Sequence, residues 1–574
     1  MPDSDNQKPT PKKPGGEQEL SMEKRLLLAF ALMGIVLFLT QYFFPQPTPE
    51  KTLKPTQSAT PQQAEKVDQP TPTQTQPPPA GQISAAGEQQ QTIQTNVYKI
   101  VFSNHGGVVR SWELLKYQDG NGRPLELVNS YGASKTHYPF SLLYDGTAPS
   151  VDLNQVFWVA TRTADGNGID FQYSNGRTVA KKSFRFVRDS YLSQVNTEIL
   201  ENGAPLAHLL AWRGGFGDKT VAARAANQKT LYFNPADNKL VEKDVSAAKK
   251  GAVTESGQFS FAGIEDTYFA AVLLPKDNRQ LRVQTLSDTV GIDKGSGEEP
   301  HVGAAIGGEG RSQFSLFVGP KDLDLLGRVD PKLVQAVDFG WFAIIAKPLF
   351  FALNWVNDKY LHNYGWSIVV LTIAINFLLF PLKLTGLKGM RKMSALQPQI
   401  NAINEKYKNV GIRDPRAAEK NQEIMDLYKK HGVNPLGAGC MPLLLQIPFF
   451  IAFYKVLSVA IEMRGASWLW VTDLSQPETL PIRLLPLIMI GTQFLLQRMT
   501  PATPGADPAQ QKMMQFMPLM MGVFFYNAVS GLVLYWLTSN VVGIAQQVLM
   551  NRMMPPPAPP VEAKPAPSKR TPRK

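Results

Sequence analysis

Hydrophobic and polar positions change their spacing three times along this chain, and each change predicts a different kind of structure. Residues 26–44, "LLLAFALMGIVLFLTQYFF", form an almost unbroken apolar run, with Lys24 and Arg25 before it and Pro45 directly after it. At about 1.5 Å per residue such a helix reaches across the roughly 30 Å hydrocarbon layer of a bilayer. The run is longer than the core of a signal peptide (about 7–15 residues) and no A-x-A cleavage site follows, so it predicts an uncleaved signal-anchor span, with residues 1–25 as a cytoplasmic tail. Residues 45–95 are rich in Pro, Gln and Thr and poor in large apolar side chains. Such a segment cannot offset its own ordering entropy and predicts a disordered linker.

From 96 to 327 the period becomes two. Tyr98, Ile100 and Phe102 alternate with polar or smaller residues before the Gly106-Gly107 pair, and turn sequences recur at 119–124 ("DGNGRP"), 164–168 ("ADGNG"), 174–177 ("SNGR") and 201–205 ("ENGAP"). Many short strands without a long helical period predict a large all-β sandwich. Within it "GGFGDKT" (214–220) has the look of a phosphate loop but lacks the G-x-x-x-x-G-K-[ST] spacing and the strand-to-helix setting, and is read as a turn.

Past Asp330 the pattern turns helical. Residues 335–362 mix aromatics with Lys347, Asn354 and Asn357 around Pro348, the pattern of an amphipathic helix lying in the membrane interface. Apolar runs then predict spans at 363–384, 437–460, 480–498, 512–527 and 529–551, six in all with the anchor. Between the first two of these, residues 385–436 carry two charged amphipathic stretches, the second opened by Asp414-Pro415, a helix cap and first-turn pair. They predict a helical hairpin. Lys and Arg cluster in this hairpin, beside the 498–512 loop and in the basic tail 552–574, which places these segments and both termini in the cytoplasm and the β domain outside.

Composition narrows the chemistry. At 574 residues the chain is too long for one core, and its net charge of +12 sits beside apolar runs and in the tail, which suits topology and an acidic lipid or ribosomal surface better than the reading of nucleic-acid sequence. Cys440 is the single cysteine, so no intrachain disulfide and no thiolate zinc cluster can form. The six histidines are scattered, no H-E-x-x-H is present, and Ser458, Ser530 and Ser539 have no histidine near them in sequence. No metal, cofactor or catalytic group is expected.

What the spans do contain is amides. Thr372, Asn376 and Lys383 share one helical stripe; Trp536, Asn540, Gly543 and Gln547 share another; Gln493 and Gln497 repeat the i, i+4 spacing on a third span, and Gln446 stands on a fourth. An unpaired amide in hydrocarbon costs roughly 2–7 kcal/mol, so each must face protein or water. Helix-to-helix hydrogen bonding accounts for any one of them. Stripes on four spans predict a common interior, a hydrated groove lined by Thr372, Asn376, Gln446, Gln493, Gln497, Trp536, Asn540 and Gln547, with Lys383 at its cytoplasmic mouth.

Four phrases carry a resemblance. "GVNPLGAGCMPLLLQIPFFIAFYKVL" (432–457), "WLWVTDLS" (468–475), "MQFMPLMMGVFF" (514–525) and "SGLVLYWLTSNVVGIAQQ" (530–547) are similar to the YidC/Oxa/Alb family of membrane protein insertases, and the anchor and external β domain resemble its Gram-negative bacterial form. The resemblance implies an α-helical polytopic membrane protein with a five-helix insertase core and a periplasmic β-sandwich. It implies a non-enzymatic insertase and chaperone that moves nascent membrane proteins into the inner membrane, alone or with the Sec translocon. It also implies that the ribosome or the signal recognition particle pathway docks on the cytoplasmic basic residues Arg391, Lys392, Lys406, Lys408, Lys429, Lys430, Lys569 and Arg570. Where the family usually has an arginine five residues before the proline of the first core span, this chain has Asn376. Capture of acidic client segments is then expected to weaken or to move to Lys383, about 10 Å further along the helix. A secondary transporter would need intramembrane acids and an inverted repeat, and a structural envelope protein would leave the polar stripes unexplained.

Overall fold

The computed structural model describes residues 81–553 apart from 145, 221–227, 278, 409, 411–413, 433–440 and 501–507. The anchor 26–44, the tail 1–25, most of the linker, the start of the 437–460 span and nearly all of the basic tail, with Lys569 and Arg570, lie outside the described residues.

The first part is built from three antiparallel sheets, of eleven, five and four strands. In the four-stranded sheet Tyr98–Ser103 pairs with Val108–Gln118, and the alternating Tyr98, Ile100 and Phe102 are fully buried. Tyr98 closes the inter-sheet core: its hydroxyl shares its one proton between Val318 O at 2.5 Å and Tyr191 O at 2.8 Å, and its ring meets Trp112 edge-on at 5.2 Å. The linker read from composition extends too far. Gln90–Gln94 is a strand paired with Tyr98–Ser103, and Gln82–Ile83 pairs with the Gly168–Asn175 strand. These are polar edge strands. In the first of them Ile93 is buried while Gln90, Thr92 and Gln94 are exposed, so composition alone does not reveal it.

The second part is helical. A short helix, Leu323–Val329, capped by the Asp322 side chain on Leu325 N, and a 3-10 turn, Leu333–Ala336, lead into α1 (Ala343–Val356). After a π-helical turn at Asn357–Leu361 the chain bends by 117° into α2 (Tyr364–Leu378). His362 sits at φ 50° in this corner, and the Asn363 side chain caps α2 by accepting from Trp366 N at 3.1 Å.

The run 363–384 is not one helix. It breaks at Leu379, and α3 (Phe380–Ala395) begins with Pro381 in its first turn, a residue with no N–H to continue the preceding ladder. The chain continues as α4 (Gln397–Lys406) and α5 (Arg416–Lys430), with Met393, Leu396, Ile400 and Tyr428 forming a small core of their own. Asp414 Oδ1 accepts from Arg416 N at 3.0 Å, the capping contact expected of Asp414-Pro415.

Four apolar helices complete the part: α6 (Met441–Val459), α7 (Leu484–Met499), α8 (Pro508–Phe525) and α9 (Ser530–Met553). Among the described residues α9 is the one helix long and apolar enough to cross a bilayer alone, and α1 with α2 makes a bent pair that passes together. The others are shorter apolar helices.

Candidate functional site

α9 stands between α2 and α7, and its polar residues divide between the two. Toward α7, Trp536 Nε1 donates to Gln493 Oε1 at 3.2 Å, Asn540 Nδ2 to Met489 O at 3.2 Å and Thr492 Oγ1 at 3.3 Å, and Gln547 Nε2 to Met499 O at 3.2 Å. Gly543 lies among them, where a Cβ would stand 3.1 Å from the Leu496 side chain. The stripe 536, 540, 543, 547 is therefore a helix-to-helix seam, as small and amide residues make between membrane helices.

A different face of α9, roughly 80° round the helix at 3.6 residues per turn, meets α2. Ser539 Oγ lies 3.4 Å from Asn376 Nδ2, and Gln546 Nε2 donates to Asn376 O at 3.2 Å. On α2 itself Thr372 Oγ1 donates to Ile368 O at 2.6 Å, and Asn376 Nδ2 donates to Thr372 O at 2.9 Å. The remaining oxygen of Asn376 accepts from Lys383 Nζ at 2.7 Å. Side chains on a helix lean toward its N-terminus, so the lysine in the first turn of α3 reaches back to the amide on α2.

The amides thus do not converge on one wall. Thr372, Asn376, Asn540 and Gln547 are buried in two seams on adjacent faces of α9, while Lys383, Gln446, Gln493, Gln497 and Trp536 are half-buried. Phe450 of α6 and Phe525 of α8 close over Trp536 at ring separations of 5.0 and 5.1 Å. Ser539 and Gln546, seven residues apart on one face, were the available signal for the second seam, which the stripe on 536 obscured. Away from the seams, Phe377, Leu378, Leu519, Met520 and Val523 project outward as an apolar surface.

The basic residues between 391 and 430 separate by environment. Arg391 is half-buried: its Nη2 donates to Asn551 Oδ1 at 2.6 Å, and Gln547 Nε2 reaches the same oxygen at 3.1 Å, which ties α3 to the end of α9. It is an internal strut and not a free surface cation. Lys392, Lys406, Lys408, Lys429 and Lys430 are exposed. Lys406 pairs with Glu423 across α4 and α5 at 2.9 Å, Lys408 with Glu405 at 3.4 Å and Lys429 with Asp426 at 3.8 Å.

Two family models match the chain: "YidC periplasmic domain" over residues 90–352 and "60Kd inner membrane protein" over 355–557. Among similar proteins, the membrane protein insertase YidC of Geotalea daltonii is 32% identical, over 93% of this chain and 100% of its own length. That of Maridesulfovibrio salexigens is 33% identical, over 92% of this chain and 99% of its own length. A crystal structure of active YidC insertase with the first transmembrane domain resolved is similar over 90% of this chain and 98% of its own, at 18% identity and a TM-score of 0.36.

Proposed function

The chain belongs to the YidC family of membrane protein insertases, and from that premise we propose that its client path runs along the seam between α2 and α9, with Asn376 and Lys383 as the polar step. The observation that carries this reading is the 2.7 Å contact from Lys383 Nζ to Asn376 Oδ1, which brings a full positive charge up to a buried amide between two apolar helices. A client entering the bilayer brings backbone and side-chain groups that hydrocarbon cannot solvate. Thr372, Asn376, Ser539 and Gln546 offer such groups exchangeable hydrogen bonds, and the ammonium offers an acidic segment a counter-charge. The apolar faces of α2 and α8 then accept the client's hydrophobic residues into lipid, at roughly 1.5–3 kcal/mol for each large side chain. No covalent chemistry is required.

In this reading the seam toward α7 is packing, because the contacts of Trp536, Asn540 and Gln547 with that helix run between neutral groups, whereas Lys383 brings its charge to the seam toward α2. The protein crosses the inner membrane six times with both termini in the cytoplasm, and α1 lies in the outer interface. The exposed Lys392, Lys406, Lys408, Lys429 and Lys430 face the ribosome or the signal recognition particle pathway, and the Sec translocon is a lateral partner. Nascent membrane proteins are the clients.

Photocrosslinking to a ribosome-stalled client tests the path. Probes at positions 376 and 539 are expected to capture the client and a probe at 540 is not. Capture from 540 with none from 376 would move the path to the other seam.

A further inference from the structure

The loop 214–220, "GGFGDKT", holds a cation from the far end of the chain. Arg464 follows the 3-10 turn Ile461–Met463 at the outer end of α6, yet its guanidinium is buried in the β domain. It pairs with the Asp218 carboxylate and donates to Gln118 O at 2.8 Å, and it lies 5.5 Å from the Phe269 ring centroid. Only 9% of the Arg464 side chain and 3% of that of Asp218 is exposed.

The socket is built for this. Asp218 Oδ1 is occupied by Thr220, which donates from N at 2.8 Å and from Oγ1 at 2.6 Å, so Oδ2 is turned to the arginine. Gly217 sits at φ 92°, and a Cβ there would stand 2.0 Å from Asp266 Oδ2, so no larger residue fits. On the other side, the segment after Arg464 grips the outer ends of two helices. Asn363 Nδ2, at the start of α2, donates to Ser467 O at 3.0 Å, and Gly531 N, at the start of α9, donates to Leu474 O at 2.9 Å.

We propose that the 214–220 loop is a latch through which the β domain fixes the external loop of the membrane part and so sets the outer ends of α2 and α9. The connection through residues 321–342 packs Leu326, Leu333 and Ala336 into the core on one side of the domain; the buried Asp218–Arg464 pair is a second tie, from the 214–220 loop to the segment after α6. Losing one partner strands the other charge in a buried site, so the pair is either closed or the interface opens. Because α2 and α9 form the client seam proposed above, the latch rests on that reading for its effect on insertion. Its effect on domain position stands without it.

The test is a distance measurement on the full chain in nanodiscs. With Cys440 replaced by serine, spin labels at the exposed positions Val187 in the β domain and Ile482 beside α7 report the separation of the two parts. The unmodified pair is expected to give one narrow distribution, and Arg464→Gln and Asp218→Asn each a broad one. The Arg464→Gln/Asp218→Asn double variant is expected to be no broader than either single variant. Arg464→Lys, which keeps the charge and loses the fork, is expected to fall between and serves if the other variants do not fold. Single-variant distributions as narrow as the parent, or broadening that adds in the double variant, would overturn the latch. Broad distributions with unchanged client insertion would leave the latch standing and overturn its link to the seam.

Discussion

The Lys383 ammonium rests on the Asn376 side-chain oxygen across the helix break at Leu379, so the charge of one helix is delivered to a buried amide on the one before it. Seven residues separate the two in sequence, and the lysine's own Cα lies in the first turn of α3. Asn376 occupies the position where the resemblance implies an arginine, so the pair together restores a cation near that depth.

Lys383→Met is therefore expected to lower the insertion of clients with an acidic translocated segment by several-fold, and to leave clients with a neutral segment almost unchanged. Adding Asn376→Arg to that variant is expected to recover most of the loss. Protease protection of the translocated segment reads both. Equal loss for acidic and neutral clients would assign Lys383 a structural role.

The first turn of α2 depends on an absent side chain. A Cβ at Gly365 would stand 2.3 Å from the Trp468 ring, which itself meets Trp366 at 5.6 Å. Gly365→Leu is expected to push Trp468 out and to lower stability by about 1–3 kcal/mol, the usual cost of overpacking. Thermal unfolding of the purified protein measures the loss, and a red-shifted tryptophan emission reports the displaced ring.

Lys182 is fully buried in the β domain, where its ammonium donates to Gly106 O at 3.2 Å, Gly107 O at 2.9 Å and Phe140 O at 2.8 Å. Burial pushes its pKa down to about 7. The three carbonyls belong to loops, and Lys182→Met takes this donor from all of them at once. A net loss of about 1–3 kcal/mol is expected, because each unsatisfied buried carbonyl costs about 1–3 kcal/mol and relief of the ammonium's burial returns part of the sum. Urea unfolding followed through the β-domain tryptophans checks it.

Much of this was legible in the chain, and what was missed has a common cause. The alternation at Tyr98, Ile100 and Phe102 gave the β domain because each inward residue is large and apolar. Gln90–Gln94 escaped because an edge strand shows its polar side. The stripe 536, 540, 543, 547 was correctly placed on one face, since helical period is a local property. Its partner was not, since nothing local says that Met489, Thr492 and Met499 of α7 supply the acceptors. The same holds for "GGFGDKT": its glycines announce a loop, but the arginine that fills it lies 246 residues away in sequence.

Asp266 makes stability depend on pH. It is buried, its Oδ1 accepts from Tyr268 N at 2.8 Å and Phe269 N at 2.7 Å, and burial, partly offset by those bonds, Lys321 and Arg464, pushes its pKa up to about 6 from 3.8. The folded state thus binds a proton more tightly than the unfolded chain, so this group favours folding at low pH and that contribution is lost as pH rises through about 6. The full cost above that window is roughly 3 kcal/mol. Asp266→Asn keeps the accepting oxygen and removes the charge, so it is expected to raise the unfolding temperature at pH 7.5 and to change it little at pH 4. A variant destabilised equally at both values would mean that the carboxylate is held by Arg464 and Lys321 strongly enough to stay ionised, and that the buried charge stabilises the interface it faces.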